Sequence, residues 1–163
     1  MARTMSKYEQ LIAGVEGHLR EAAESPFATG NVLGVGWTMS LDKIAETLEQ
    51  MSTTGPAAIV FFGAGETNGG RGGQLDVDPG VCIALATRGR DPRATSLGDE
   101  VSLGLADLVE WCQGLHSKPG IEGVPNPLRF VSTGPLILPW RPTTIAIVIM
   151  RFTTELIWTE TQE

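Results

Sequence analysis

Two strongly β-prone segments flank one glycine-rich connection near the middle of the chain. Ala57–Ala64 (AAIVFFGA) is an apolar run of strand length, and runs rich in Val, Ile and Phe favour extended structure. Gln74–Thr87 is the second run, with a predicted break at Asp78–Gly80, where proline and glycine are adjacent. The connection Glu66–Gln74 contains four glycines. The pattern predicts a long β-hairpin with a mobile tip, which any fold of this chain must accommodate.

A further strand is predicted near the end of the sequence, over Thr143–Trp158. One face stays apolar almost throughout, whereas the other begins apolar at Ile145 and turns polar at Arg151. About 16 residues at ~3.3 Å each would span ~50 Å, more than a domain of this size requires. We therefore expect the distal half of this strand to lie outside the monomer's own sheet, where another subunit could use it.

Three segments have the i, i+3, i+4 apolar spacing of amphipathic helices. Proline ends the first of them, a serine N-cap opens the second, and two acidic residues begin the third. Two shorter segments are predicted strands. The sequence thus predicts one α+β domain over residues 1–163, with a mainly antiparallel sheet of four to five strands and about three helices. The helices are Ser6–Glu24, Ser40–Met51 and Asp99–His116, and the short strands lie within Asn31–Trp37 and Leu128–Leu138.

The charge of the chain argues against a nucleic-acid-binding surface. The 163 residues carry 19 acidic and 12 basic side chains, a net charge of −7. Proteins that gain affinity from phosphates need a basic face. The nearest candidate here is the short stretch with Arg88, Arg90 and Arg93, which also contains Asp91. A negative surface suits a wall past which DNA must slide without being held.

The two cysteines and the apolar runs indicate an intracellular chain without a membrane span. Cys82 lies in an apolar strand and Cys112 on a helical apolar stripe, positions at which a thiol behaves as a small hydrophobe. The longest apolar run, Thr144–Met150, is far shorter than the ~20 residues of a membrane helix. We expect a cytosolic origin, since the first residues do not have the pattern of a signal peptide.

Two motifs in the hairpin have a functional and a plain interpretation. Gly63-Ala-Gly65-Glu-Thr-Asn68 resembles a dinucleotide fingerprint, but Asn68 replaces the third glycine and no helix is predicted to follow. The alternative interpretation is an ordinary hairpin loop. Glu66, Asp76 and Asp78 could hold a calcium ion, although EF-hand spacing is absent. The alternative interpretation is that these carboxylates are exposed to solvent.

No catalytic motif emerges from the remaining polar residues. His18 and His116 lack metal-ligand neighbours in sequence, and a protonated His116 would suit the C-terminus of its helix. Ser132 and Cys112 lie in no nucleophile motif. A triad scattered through the chain stays open as an alternative. The four tryptophans are either core residues or interface anchors, with the two readings evenly balanced for Trp140 and Trp158; the others are Trp37 and Trp111.

The order of elements after Pro56 resembles the tail-terminator proteins of long-tailed phages, especially those of Mu-like phages and prophages. The N-terminal helix fits the same pattern. The glycine-rich tip and the stretch Pro119–Trp140 have no counterpart in it. The residues that carry the resemblance are Pro56–Phe62, Val81–Gly89, Gly104–Leu115 and Ile145–Thr154.

The resemblance implies a homo-hexameric ring on the head-proximal end of the tail tube. Such a ring binds the tube protein, docks the neck or head-completion protein, and meets the last sheath ring if the tail is contractile. DNA would pass through the lumen without specific binding, and Glu66, Asp76, Asp78 and Asp99 are the acidic residues most expected to face it. The alternatives are another neck, head–tail completion or tail component, and a small enzyme with a scattered site.

We predict no catalytic, cofactor-binding or metal-binding residues for this chain. The expected functional surface is instead an interface with another subunit or with the tube. Its candidate residues come from the hairpin tip, the arginine stretch, the proline-flanked tryptophan and the distal end of the last strand. They are Glu66, Gly69, Gly70, Arg71, Gln74, Arg88, Arg90, Trp140, Arg151, Glu155 and Trp158.

Overall fold

The structure of the chain is a computed structural model. It describes residues 6–35, 40–68, 76–88, 107–116, 118, 120–122, 124, 126–134 and 145–154. The elements, in chain order, are α1 (Lys7–Glu21), β1 (Val32–Gly34), α2 (Leu41–Met51), β2 (Ala57–Asn68), β3 (Asp76–Arg88), a helical segment α3 (107–113), β4 (Arg129–Gly134) and β5 (Ile145–Thr153).

Helix α1 begins at a capping box, as its first residues allow. The Ser6 hydroxyl accepts a hydrogen bond from the Glu9 backbone N–H at 3.2 Å, and the Glu9 carboxylate accepts one from the Ser6 N–H at 2.8 Å. These bonds satisfy backbone donors that the first turn leaves without partners. Arg20, in the last turn, donates to the carbonyl oxygens of Thr29 and Val32 and also pairs with Glu16. Helix α1 is thereby attached to the segment that leads into β1.

Helix α2 begins at the predicted serine cap. The Ser40 hydroxyl accepts a hydrogen bond from the Lys43 N–H at 3.2 Å. Ile44, Ala45 and Leu48 form the buried side of the helix, as their spacing predicts. Helix α2 connects β1 to β2, and these two strands are parallel neighbours. Such a crossover joins parallel strands through a helix that covers the sheet.

The five strands form one sheet in the order β1-β2-β3-β5-β4. The pairs β2–β3, β3–β5 and β4–β5 are antiparallel, whereas β1–β2 is parallel. Three helical segments accompany the sheet in the described residues. The predicted α+β class, with a mainly antiparallel sheet of four to five strands and about three helices, is confirmed.

Both faces of the central strands are buried, because helices cover the sheet on either side. Side chains from α1 and α3 pack on one face, where Val81, Ile83 and Leu85 of β3 are fully buried. Helix α2 packs on the other face, against Ala84 and Ala86 of the same strand. Alternate residues of β3 therefore serve two separate hydrophobic clusters, which explains its nearly continuous apolar sequence.

The hairpin strands differ from the prediction in length and in the place of their irregularity. β2 extends to Asn68 and β3 begins at Asp76, so Glu66 belongs to a strand. The predicted break at Asp78–Gly80 is wrong, since β3 continues through it. The irregularity lies in the opposite strand, where the register shifts between Gly63 and Glu66. Two residues of β2 bulge opposite Pro79, whose lack of an N–H the bulge tolerates.

The last strand is interior to the sheet rather than at its periphery. β5 pairs with β3 on one side and with β4 on the other, and Arg151 to Phe152 are paired on both sides. The prediction that its distal half leaves the monomer's sheet is therefore wrong up to Thr153; residues 155–163 lie outside the described residues. The alternation is confirmed, since Met150 and Phe152 are fully buried and Arg151 is exposed.

The third predicted helix is described only in its C-terminal part. Leu108, Cys112 and Leu115 are buried there, on the stripe that the sequence predicts. Residues 99–106 lie outside the described residues. Among the helices that are described, none is both long enough and apolar enough to cross a membrane.

Two glycines of α1 give a matched test of how closely the chain packs on this helix. A Cβ at Gly14 would overlap the backbone carbonyl oxygen of Glu122, whereas a Cβ at Gly17 would have no neighbour within 4 Å. Gly14→Ala should therefore lower the free energy of unfolding by about 1–3 kcal/mol through overpacking. Gly17→Ala should raise it by about 0.5–1 kcal/mol, because alanine favours a helix. Urea unfolding measures both, and equal effects would contradict the close approach at Gly14.

Candidate interaction surface

The far end of the β2–β3 hairpin extends beyond its neighbours in the sheet. The last β3–β5 pair is Gly80 with Thr153, and β1 pairs with β2 only as far as Val60. Beyond the bulge, Glu66–Asn68 and Asp76–Asp78 pair with each other and with no other described strand. We call these two segments the arm. In the described part of the chain it is a two-stranded ribbon that continues from the five-stranded sheet.

The described backbone of the arm pairs only between its own two strands. Two-stranded ribbons are at best marginally stable in water without a third strand or a covering helix. The register makes Glu66 and Asp78 direct cross-strand partners, and like charges in that position are unfavourable. Asn68 pairs with Asp76 in the same ribbon. The arm therefore has strand edges without a partner among the described residues, and an acidic composition that a cationic partner would stabilise.

β4 forms the outer edge of the sheet on the opposite side. Its first residues are covered, because the Phe130 N–H donates to His116 Nδ1 at 2.8 Å and Leu128 forms a bridge with His116. Val131–Gly134, which we call the β4 edge, has no strand on its outer side among the described residues. Val131 is 47% exposed and is the one exposed large hydrophobic residue found in the described ranges. Exposed strand edges of this kind accept additional strands.

The bond from Phe130 gives His116 a structural contact. His116 Nδ1 accepts this bond, which joins β4 to the end of α3.

Arg151 lies beside the β4 edge, on the face of the sheet that α2 covers in part. The register places Phe61, Cys82, Arg151 and Ser132 in one row across four strands. The Arg151 side chain is exposed, and its guanidinium charge acts on the Cys82 thiol. Burial raises the pKa of that thiol, and the nearby guanidinium opposes the shift. Arg151 is thus a cation at the surface next to the β4 edge.

The predicted interface residues are only partly within the described chain. Arg151 has a described side chain, and Glu66 and Arg88 have described backbones within β2 and β3. The structure brings Arg151 to the β4 side of the sheet and Glu66 to the arm, so these two belong to different surfaces. The other predicted residues lie outside the described residues: Gly69, Gly70, Arg71, Gln74, Arg90, Trp140, Glu155 and Trp158.

Two features of this surface were missed from the sequence. Leu128 is buried and Phe130 is partly buried, so inward-facing and outward-facing side chains alternate in this stretch. This alternation predicts that Val131 faces outward. Its position on the outermost strand depends on the strand order, which no local pattern gives. The contact between His116 and Phe130 joins residues 14 apart and has no signal in spacing.

A separate groove runs along α1. Its volume is about 640 Å³, and Gly14, Gly17, His18, Glu21 and Glu122 are among its lining residues. The His18 ring stacks on Trp111 with centroids 6.0 Å apart, and no described group bonds its buried Nε2. Burial lowers the pKa of His18, and Lys118 acts in the same direction, so the ring is neutral at pH 7. The described lining residues include no hydroxyl or thiol nucleophile.

The two thiols are buried inside the fold. Cys82 is 4% exposed and Cys112 is fully buried, and neither forms a disulfide. Burial raises the pKa of Cys112 to about 12. A thiolate is the reactive form of cysteine, so Cys112 is unsuited to nucleophilic catalysis. Within the described ranges, no three His, Cys, Asp or Glu residues converge on a metal position. The side chains of Glu66, Asp76 and Asp78 lie outside the described residues.

Comparison with known proteins adds no assignment. The chain matches no protein-family model, and no curated protein has significant sequence similarity to it. The resemblance to tail terminators therefore stays a prediction from the order of elements.

The buried Cys112 predicts a specific pH dependence of stability. In the folded state its pKa is about 12, whereas an exposed thiol in the unfolded chain ionises near pH ~8.5. Between these pH values the unfolded state binds fewer protons than the folded state. The stabilisation that the buried Cys112 thiol contributes is therefore complete below about pH 8.5 and is lost as pH rises toward 12. In Cys112→Ala the free energy of unfolding should fall less steeply with pH, by up to ~1.4 kcal/mol per pH unit. Urea unfolding of both proteins between pH ~7 and ~10 measures this, and parallel slopes would contradict it.

Proposed function

We propose that this chain is a structural assembly subunit of the tail-terminator type. Six copies would form a ring that caps the tail tube and docks the neck, and that meets the last sheath ring in a contractile tail. The observation that carries the proposal is the arm. A ribbon that extends beyond its own sheet, without a described covering element, is typical of a chain completed by contact with another subunit.

The arrangement of the core supports the same proposal. The segments that carry the resemblance come together in space: β2, β3 and β5 are adjacent strands, and the described part of α3 packs on them. The resemblance therefore covers a contiguous part of the fold.

The charge of the chain is compatible with a conduit for DNA. Each copy carries −7, and six copies would carry six times that charge. Negative walls repel phosphates, whereas a basic lining would hold DNA through counterion release. The DNA would pass through the lumen without specific binding.

The groove beside His18 is the observation that favours the enzyme alternative. It contains the imidazole of His18, whose Nε2 has no partner among the described residues, and Glu21 and Glu122 also line it. Such groups can exchange protons, but they form no complete catalytic set in the described residues. Another neck or tail component would use the arm in the same way, so assembly experiments must identify the partner.

Assembly on the tail tube is the principal test. The wild-type chain, mixed with polymerised tube protein, should form a closed ring of six copies at the tube end and stop elongation. Native mass spectrometry measures the copy number, and electron microscopy of tube lengths measures capping. A second ring-forming neck protein should bind the capped end. A chain that stays monomeric with tube protein present contradicts the proposal.

The glycine-rich tip offers a milder test of the same proposal. Removing about four residues from 69–73 should leave the unfolding midpoint nearly unchanged, because loop length has a small effect on closure entropy. It should still reduce tail completion, since the sequence places these residues between the two strands of the arm. Thermal unfolding and counts of finished tails measure the two effects. Normal completion with the shortened tip would remove the tip from the interface.

A further inference from the structure

We infer that the β4 edge of one copy receives the arm of a second copy, so that the sheet continues from subunit to subunit. The inference rests on the proposed function in taking neighbouring copies of the ring as the two partners. It adds which surfaces meet: the β2–β3 arm on one side and Val131–Gly134, with Arg151 beside them, on the other.

The backbone of the two surfaces is suited to this contact. The arm has three residues in each strand, and its outer edges are unpaired in the described residues. The β4 edge has four residues and a free outer side within the same ranges. The bulge at Val131 bends the start of this edge. Thr133 and Gly134 then follow in regular register, so a short added strand can pair there.

The charges of the two surfaces are complementary. The six residues of the arm include Glu66, Asp76 and Asp78 and no basic residue, which gives −3. β4 and β5 include Arg129 and Arg151 and no acidic residue, which gives +2. Arg151 is exposed and borders Ser132 of the edge strand. Opposite charges steer such surfaces together and set their register.

Complementarity between two different surfaces of one chain has a consequence for assembly. Each copy offers one arm and one edge, so the contact is head-to-tail and generates a ring when the rotation closes. The acidic residues of the arm would then lie between subunits. The acidic lining that the sequence predicts for the lumen would come from other residues.

A charge-exchange experiment tests this contact directly. Arg151→Glu changes the charge of β4 and β5 from +2 to 0, and Asp78→Arg changes that of the arm from −3 to −1. Each variant alone should need at least about a tenfold higher concentration to assemble, because every contact in it loses charge complementarity. An equimolar mixture should assemble at a lower concentration than either variant alone, since alternating copies restore one native and one reversed pair. Light scattering and native mass spectrometry measure assembly, with tube protein present in every sample.

The strand edge is tested separately by a charge at its exposed apolar residue. Val131→Glu should weaken assembly, because it places a carboxylate on the edge that receives the acidic arm. Gln50→Glu is the matched control: it adds the same charge at an exposed position of α2 and should assemble normally. Loss of assembly in the Val131 variant together with normal assembly of both charge variants would indicate edge-to-edge pairing and would overturn the inference.

Cross-linking keeps the inference testable where a charge variant fails to fold. Val131→Cys protein mixed with Asp76→Cys protein should form mixed dimers with a short bismaleimide, because the two native thiols are buried. Gln50→Cys in place of Val131→Cys should form none. If the wild-type chain forms rings, the variants assemble equally well and no cross-link forms, the inference is wrong and the proposed function is unaffected. If the chain forms oligomers that depend on these residues but do not cap tubes, the proposed function is wrong and the inference is supported.

Discussion

The fold depends on the burial of β3 on both faces and its pairing on both edges. Ile83 and Leu85 point to the cluster beneath α1 and α3, and the alternating Ala84 and Ala86 lie beneath α2. β3 thus contributes small side chains to the cluster of α2 and large ones to the cluster of α1 and α3. Because β2 and β5 are both aligned on β3, the arm and the β4 edge are held at fixed positions relative to it.

Local patterns predicted the elements well where one physical rule applied. The spacing of Leu11, Val15 and Leu19 fixed the buried side of α1, and Ser40 marked the start of α2, since both signals are local. The break predicted at Asp78–Gly80 failed for a tertiary reason. Proline and glycine usually interrupt a strand, but here the opposite strand has the bulge and β3 continues.

The candidate surface was less accessible from the sequence than the elements were. Arg151 could be named because its strand turns polar there, yet its place beside the β4 edge depends on the register with Ser132. Glu66 was expected in a flexible loop, whereas its backbone belongs to a paired ribbon. Strand order and register result from packing over the whole sheet. Local sequence patterns therefore could not predict that the arm and the β4 edge are two distinct surfaces.

The strand order also determines the interval between the translation of β3 and that of its partner β5. β3 ends at Arg88, and its partner β5 begins at Ile145, so 56 residues must be translated in between (145 − 88 − 1). At roughly 5–20 residues per second, the unpaired side of β3 emerges about 3–11 seconds before its partner. During that interval an apolar strand edge is open to other nascent chains on the same messenger. Hosts that translate this chain from closely spaced ribosomes would depend on chaperones to keep that edge apart until β5 arrives.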